Sequence, residues 1–272
     1  MIPEVYPVHE AARQGDAGLL QQLLAQGRNA NEINYDSVTP LHEACLAGQI
    51  HCIQILLNAG ARVNARNIDG STPLCDACSH GSIECVTLLL RHGATVNPEL
   101  NYTSPLHEAV LKDNWEVAEI LVRQGANLDA NDLHFGSPLH VCAFKGHINS
   151  ARVLLMAGCN VNISKMHQTP LHTAALKKHL GLVHLLLEYG ANANAVNNQG
   201  KLPADFVHKS SLIHHCLKKY SETPRSLLET CRFVIRKTVF HHKRKHYEQR
   251  VSVLDNLPLP KQLVSFIAHN LS

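Results

Sequence analysis

Prolines recur along this chain at a nearly fixed period. Pro7, Pro40, Pro73, Pro105, Pro138, Pro170 and Pro203 follow one another at intervals of 33, 33, 32, 33, 32 and 33 residues. Self-similarity at that period marks a stack of short units, because no single unit can bury its apolar face alone. The text around the prolines recurs with them: "TPLHEAC" (39–45), "TPLCDAC" (72–78), "SPLHEAV" (104–110), "SPLHVCA" (137–143) and "TPLHTAA" (169–175). Thr or Ser before Pro predicts a helix N-cap followed by proline at the first helical position, where its missing N–H costs nothing. Twenty residues after each of the first six prolines stands a glycine, at Gly27, Gly60, Gly93, Gly125, Gly158 and Gly190. Those glycines supply the left-handed residue that ends a second helix. Between the two signals, Leu56, Leu57, Leu89 and Leu90 are placed to pack one unit on the next.

Composition narrows the core and the function. Aromatic residues make up 5% of the chain against 45% apolar overall, so the core is built from Leu, Ala, Val and Ile. No run approaches the ~20 apolar residues that span a bilayer, and "MIPEVYPVHEAA" lacks the basic start and apolar stretch of a secretory signal. Nine cysteines, an odd count without regular pairing, predict free thiols and a cytoplasmic chain, with the nucleus also open. His42, His107, His140 and His172 each fall two positions after a proline, and His9 matches them. Displaced by one unit at a time, they do not converge on a metal or a substrate, and a structural hydrogen bond near each helix start accounts for them. Cys78 and Cys85 repeat the positions of Cys45 and Cys52, which makes Cys75, Cys78 and Cys85 small buried hydrophobes rather than zinc ligands. No phosphate loop, nucleophile elbow or working carboxylate pair is present, so neither catalysis nor a cofactor is expected.

Thr-Pro-Leu-His, two short helices and a hairpin loop resemble the ankyrin repeat, over roughly residues 5–220. The resemblance implies an all-α solenoid of about six full repeats and a degenerate seventh (201–220), a binding surface for another protein. Asn31, Asn64, Asn97, Asn162 and Asn194, with Asp129 in the fourth repeat, share one position and are expected to tie down the hairpin through side-chain bonds to backbone. The hairpin usually turns on Asp-Gly, as at Asp69-Gly70; at that glycine position the other repeats carry Ser37, Tyr102, Phe135, His167 and Gly200. Tyr35, Leu100 and Leu133 come two residues earlier in their repeats. Tyr35, Leu100, Tyr102, Leu133 and Phe135 therefore either fold back on adjacent hairpins or form an exposed apolar-aromatic ridge that contacts a target protein.

After Tyr220 the rhythm stops, and the charge changes with it. Residues 1–220 hold 16 Lys and Arg against 18 Asp and Glu; residues 221–272 hold 9 against 4. Thr223 and Pro224 start a further predicted helix, with Leu227, Cys231 and Ile235 on one stripe. "SLLETCRFVI" (226–235) and "LPLPKQLVSFI" (257–267) are similar to the two halves of the SOCS box. Ankyrin repeats followed by that box identify the chain as a member of the ankyrin-repeat and SOCS-box family, with domains 1–220 and 221–272.

The resemblance implies that Leu227, Cys231 and Ile235 bind elongin C, which carries elongin B. It implies that Leu257, Pro258, Leu259, Pro260, Leu263, Phe266 and Ile267 face cullin-5, which comes with a RING-finger protein. The chain would then be the substrate-recognition subunit of a ubiquitin ligase, itself non-catalytic. The family usually has Tyr-Leu where this chain has Phe266-Ile267. The helix at 227–235 can also cover the last repeat. The run "HHKRKH" (241–246) reads as a solvated loop, with nuclear import or an RNA contact as the alternative; without interleaved aromatics it does not predict nucleic-acid binding. The alternative class is a non-ligase ankyrin scaffold that masks or localises a partner.

Overall fold

The structure, a computed structural model, describes residues 6–98 and 104–222. Its regular elements are helices, and the chain divides into two units, Met1–Val141 and Cys142–Ser272. The first contains α1 (Pro7–Gln14), α2 (Ala17–Ala25), α3 (Pro40–Leu46), α4 (Ile50–Asn58), α5 (Pro73–His80), α6 (Ile83–Arg91), α7 (Pro105–Leu111) and α8 (Trp115–Arg123). Helix α9 (Pro138–Lys145) begins in the first unit and ends in the second. The second continues with α10 (Ile148–Met156), α11 (Pro170–Leu176), α12 (Leu180–Glu188), a 3₁₀ turn (Pro203–Phe206) and α13 (Leu212–Glu222).

In the first unit the odd-numbered inner helices α1, α3, α5 and α7 pack in sequence, and the outer helices α2, α4, α6 and α8 form a second layer. Leu41, Leu74 and Leu106, each one residue after its proline, are essentially excluded from water, as are Ala44, Ala77 and Ala109 three residues further on. Leu56 and Leu89 are fully buried, whereas Leu57 and Leu90 are half-buried at the layer's edge. A fully buried leucine is worth about 1.5–3 kcal/mol, and the small alanines let neighbouring inner helices approach. The second unit repeats the scheme, with Leu171, Leu182 and Leu186 buried.

Each predicted proline opens its helix at Pro7, Pro40, Pro73, Pro105, Pro138 and Pro170, and the six glycines all take positive φ, from 80° at Gly60 to 95° at Gly190. The N-cap hydroxyls divide. Ser104 and Thr169 accept the amide N–H three residues on, at 3.4 and 3.5 Å. The Thr39 hydroxyl bonds the His42 ring instead (2.8 Å), and Thr72 donates to the Cys75 thiol (3.4 Å). The degenerate seventh repeat has a single 3₁₀ turn where an inner helix would stand. It lacks both the Thr/Ser cap and the leucine after proline; Asp205 accepts the Leu202 N–H (2.8 Å) and the chain is extended again at Val207. Among the described residues no helix is long and apolar enough to cross a membrane.

Candidate protein-binding surface

Three ladders of side chains fix the surface. The first is the histidine ladder. His42 Nδ1 accepts both the Thr39 N–H (3.1 Å) and the Thr39 hydroxyl (2.8 Å), so Nε2 carries the proton and donates to the Ser71 carbonyl of the next hairpin (3.2 Å). Thr169, His172 and the Lys201 carbonyl repeat the arrangement (3.2, 2.8 and 3.2 Å). In the first unit His107 Nε2 reaches the Gly136 carbonyl at 2.8 Å, and His9 Nε2 reaches that of Val38 at 2.9 Å. Burial holds the His42 ring neutral, with its pKa lowered to about 4, and lowers that of His172. These rings are structural pins between an inner helix and the following hairpin.

The second ladder corrects an expectation. Asn31, Asn64, Asn97 and Asn162 do not tie down their own hairpins; each reaches the next repeat. Asn31 donates to the Gly60 carbonyl (2.9 Å) and accepts the Arg62 N–H (2.7 Å). Asn64 does the same with Gly93 (3.1 Å) and Thr95 (2.8 Å), and Asn162 with Gly190 (3.2 Å) and Asn192 (2.8 Å). The glycine that ends each outer helix frees the carbonyl these amides seek.

The residue three positions later closes the hairpin. Asn34 Oδ1 accepts the N–H groups of Asp36 and Val38, Asn67 those of Asp69 and Ser71, Asp132 those of His134 and Phe135, and Asn197 those of Gln199 and Lys201. The spacing Asn-x-x-Asn, or Asp-x-x-Asp at 129–132, carried this signal in the sequence. A side-chain oxygen that mimics a backbone turn is the physical reason for Asx there.

The third ladder crosses glycines. Asn114 donates to the Cys78 and Ser79 carbonyls at the end of α5 (2.9 and 3.1 Å), passing over Gly81; a Cβ there would meet the Asn114 amide at 2.7 Å. In the same way His80 bonds the Leu46 carbonyl (3.1 Å) over Gly48, and His179 that of Phe144 (3.4 Å) over Gly146.

The hairpin tips stand beyond these ladders. Tyr35 is 81% exposed and Leu133 63%, while Phe135 is half-buried. Phe135 also does not take the glycine-like conformation: Gly136 does, at φ 85°, because the Asp132–Gly136 bridge encloses three residues and shifts the left-handed site by one. Ser37, His167 and Gly200 occupy it as aligned, at φ 57°, 63° and 70°. Ile33 and Ile68 are exposed on the same tips, and the Ile68 N–H bonds the Asp36 carbonyl of the preceding hairpin (3.0 Å), which joins these two tips edge to edge. Leu100 and Tyr102 lie outside the described residues, as do Leu227, Cys231, Ile235, Leu257, Pro258, Leu259, Pro260, Leu263, Phe266 and Ile267.

Five cysteines of the first unit have no reactive setting. Cys45, Cys52, Cys75, Cys78 and Cys85 are buried and free, and burial pushes their thiols up, that of Cys75 to about 11. Such thiols are weak nucleophiles.

Inner helix, outer helix and hairpin, held by histidine and asparagine ladders, define an ankyrin-repeat protein with exposed hairpin tips. Residues 8–99, 60–132 and 106–197 match the family described as Ankyrin repeats (3 copies), and residues 223–268 match the SOCS box. The chain is 49% identical to Ankyrin repeat and SOCS box protein 13 of mouse over 264 residues, 97% of this chain and 92% of that protein. It is 41% identical to Ankyrin repeat and SOCS box protein 5 of mouse over 263 residues, 97% and 78% of the two chains. The crystal structure of the human ASB11 ankyrin repeat domain superposes with a TM-score of 0.76 at 39% identity, over 82% of this chain and all of that one. The chain belongs to the ankyrin repeat and SOCS box family.

Proposed function

We propose that the chain is the substrate-recognition subunit of an elongin B/C–cullin-5–RING ubiquitin ligase. Its ankyrin domain (1–220) binds a target protein, and its SOCS box (221–272) joins that target to the ligase for ubiquitination and proteasomal degradation. The observation that carries the reading is a SOCS-box match at 223–268 directly behind the ankyrin repeats. Leu227, Cys231 and Ile235, at i, i+4 and i+8, suit insertion of a helix face into a groove of elongin C, with elongin B attached. Proline restricts φ at Pro258 and Pro260, which lowers the cost of ordering Leu257, Pro258, Leu259 and Pro260 against cullin-5; Leu263, Phe266 and Ile267 extend that contact. The chain itself performs no bond chemistry. It raises the effective concentration of target lysines beside the activated ubiquitin. On the target side, Tyr35, Leu133 and Phe135, with Leu100 and Tyr102, supply the aromatic and aliphatic contacts.

Co-expression of residues 1–272 with elongins B and C, followed by size exclusion, tests this. A stoichiometric three-chain complex that binds cullin-5 is expected. The double substitution Leu227→Ala, Cys231→Ala abolishes the complex while thermal unfolding of the ankyrin domain stays unchanged. Elongin binding by the folded double variant would sink the assignment.

A further inference from the structure

In the first unit, three inner helices carry a carboxylate three residues after the opening proline: Glu43 on α3, Asp76 on α5 and Glu108 on α7. All three are half-buried, and Glu43 and Glu108 lie close enough to Asp76 to oppose its ionisation. Among the described residues the Glu43 and Glu108 carboxylates have no hydrogen bond or ion pair, and that of Asp76 has only the Ser71 hydroxyl (3.3 Å). Ion pairs lie elsewhere, among them Arg13–Glu10, His9–Glu32, Arg123–Glu119 and Lys218–Glu222. On α1 the equivalent Glu10 is bound by Arg13, whose guanidinium also feels the charge of Glu43, so the row without ion pairs begins at α3.

A second observation, independent of the first, is apolar. Leu46 is 55% exposed and lies three residues after Glu43, on the same face of α3; Leu111 stands in the same relation to Glu108. The carboxylate row also adjoins the hairpins. Each glutamate follows directly the histidine, His42 or His107, whose ring is pinned to the next hairpin, and Ser71 of that hairpin bonds Asp76. The exposed Ile68 and Leu133 are on those hairpins, and the exposed Tyr35 is on the preceding one, which His9 pins. The carboxylate row therefore adjoins both the exposed Leu46 and the exposed apolar side chains of the hairpins, one step per repeat.

We infer that this surface takes a Lys- or Arg-bearing segment of a target protein that also presents aliphatic or aromatic side chains. The cations face Glu43, Asp76 and Glu108, and the apolar groups settle on Leu46 and the hairpin tips. The inference rests on the receptor reading above and names the chemistry of its target. Charge complementarity selects the occupant: Arg13, the cation near Glu43, is already bound to Glu10, so a target cation complements the row and favours the ionised form of Asp76, whereas the same row repels the phosphates of a nucleic acid. The repeat spacing favours an extended segment that meets one carboxylate per repeat.

The test is selection of a displayed library of random linear peptides on the full-length chain, followed by binding of the best synthetic peptide measured by fluorescence anisotropy. The selected pool is expected to be enriched in Lys and Arg together with Leu, Ile or Phe. The variant with Glu43→Gln, Asp76→Asn and Glu108→Gln should bind at least about tenfold more weakly, and Leu46→Ser should weaken binding on its own. A copy of the peptide with Glu for each Lys and Arg should not bind the parent chain. A neutral or acidic pool, an absence of enrichment, undiminished binding to the triple variant, or equal binding of polylysine would each overturn the inference. Elongin assembly is scored on the same preparations. Its loss with peptide binding intact defeats the ligase reading alone; its retention with a failed peptide test defeats this inference alone.

Discussion

At the residue scale, His42 and Asp76 titrate against each other across the mildly acidic range. The folded His42 ring has its pKa lowered to about 4 by burial, below the ordinary 6.5, so the unfolded chain binds its proton first. Its contribution to stability is present above pH 6.5 and is lost as pH falls towards 4. Asp76 behaves oppositely. Burial, then the nearby Glu108 and Glu43, push its carboxyl up to about 7 from 3.8, against the Ser71 hydroxyl that lowers it. The folded state holds the proton that the unfolded chain releases, so this site loses stability as pH rises from about 4 to about 7. We predict that Asp76→Asn exceeds the parent in stability at pH 8 by at least about 1 kcal/mol and that the difference closes towards pH 4. Urea unfolding at pH 5 and pH 8 checks it, and an excess that does not change with pH would refute it. The histidines were legible in the sequence because their displacement by one repeat excluded a shared site. The environment of Asp76 was not, because its neighbours Glu43 and Glu108 stand 33 and 32 residues away and meet it only once the helices stack.

Turns and caps carry the argument at the element scale. The fifth hairpin is a two-residue turn: Lys165 and Gln168 exchange both backbone bonds at 2.9 Å, and Met166 and His167 both take positive φ, 48° and 63°. That is a turn that favours Asn-Gly, and an L side chain in the left-handed region costs roughly 1–2 kcal/mol. Met166→Asn with His167→Gly should therefore stabilise the chain by about 1–2 kcal/mol, read as a higher melting temperature. The third ladder predicts coupling. Gly81, at φ 91°, lets Asn114 reach the end of α5. Gly81→Ala strains the backbone and displaces that amide; Asn114→Ala removes the same two bonds directly. Each alone should cost about 1–3 kcal/mol, and the double variant less than the sum, in a double-mutant cycle of urea unfolding. The helix starts and stops were legible because proline and glycine act through local sterics. The change of partner for Asn31 and Asn64 was not, because an amide near a turn suits its own hairpin equally well until the next repeat's free carbonyl is in place.

On the scale of the whole molecule, a stack of repeats is as cooperative as the contacts between neighbours make it. In the first unit those contacts combine leucine and alanine packing, the histidine pins and the asparagine ladder, all of which recur at the proline period and so could be read as a fold from sequence. Binding surfaces follow a different rule. The proposed contact positions, such as Tyr35, Leu46 and Leu133, are exposed where the repeat departs from itself, and periodicity alone gives such positions no partner. Asn64 tests the cooperativity directly. Asn64→Asp keeps the acceptor for the Thr95 N–H but removes the donor to the Gly93 carbonyl and sets a charge beside that oxygen. The exchange should cost about 1–3 kcal/mol through an unsatisfied carbonyl and its repulsion. Because the lost bond joins two repeats rather than lying within one, the damage falls on their coupling. The urea transition of the variant should then broaden, with a lower m-value as well as a lower midpoint. A lower midpoint with an unchanged m-value would place Asn64 inside one cooperative block and assign the coupling to packing alone.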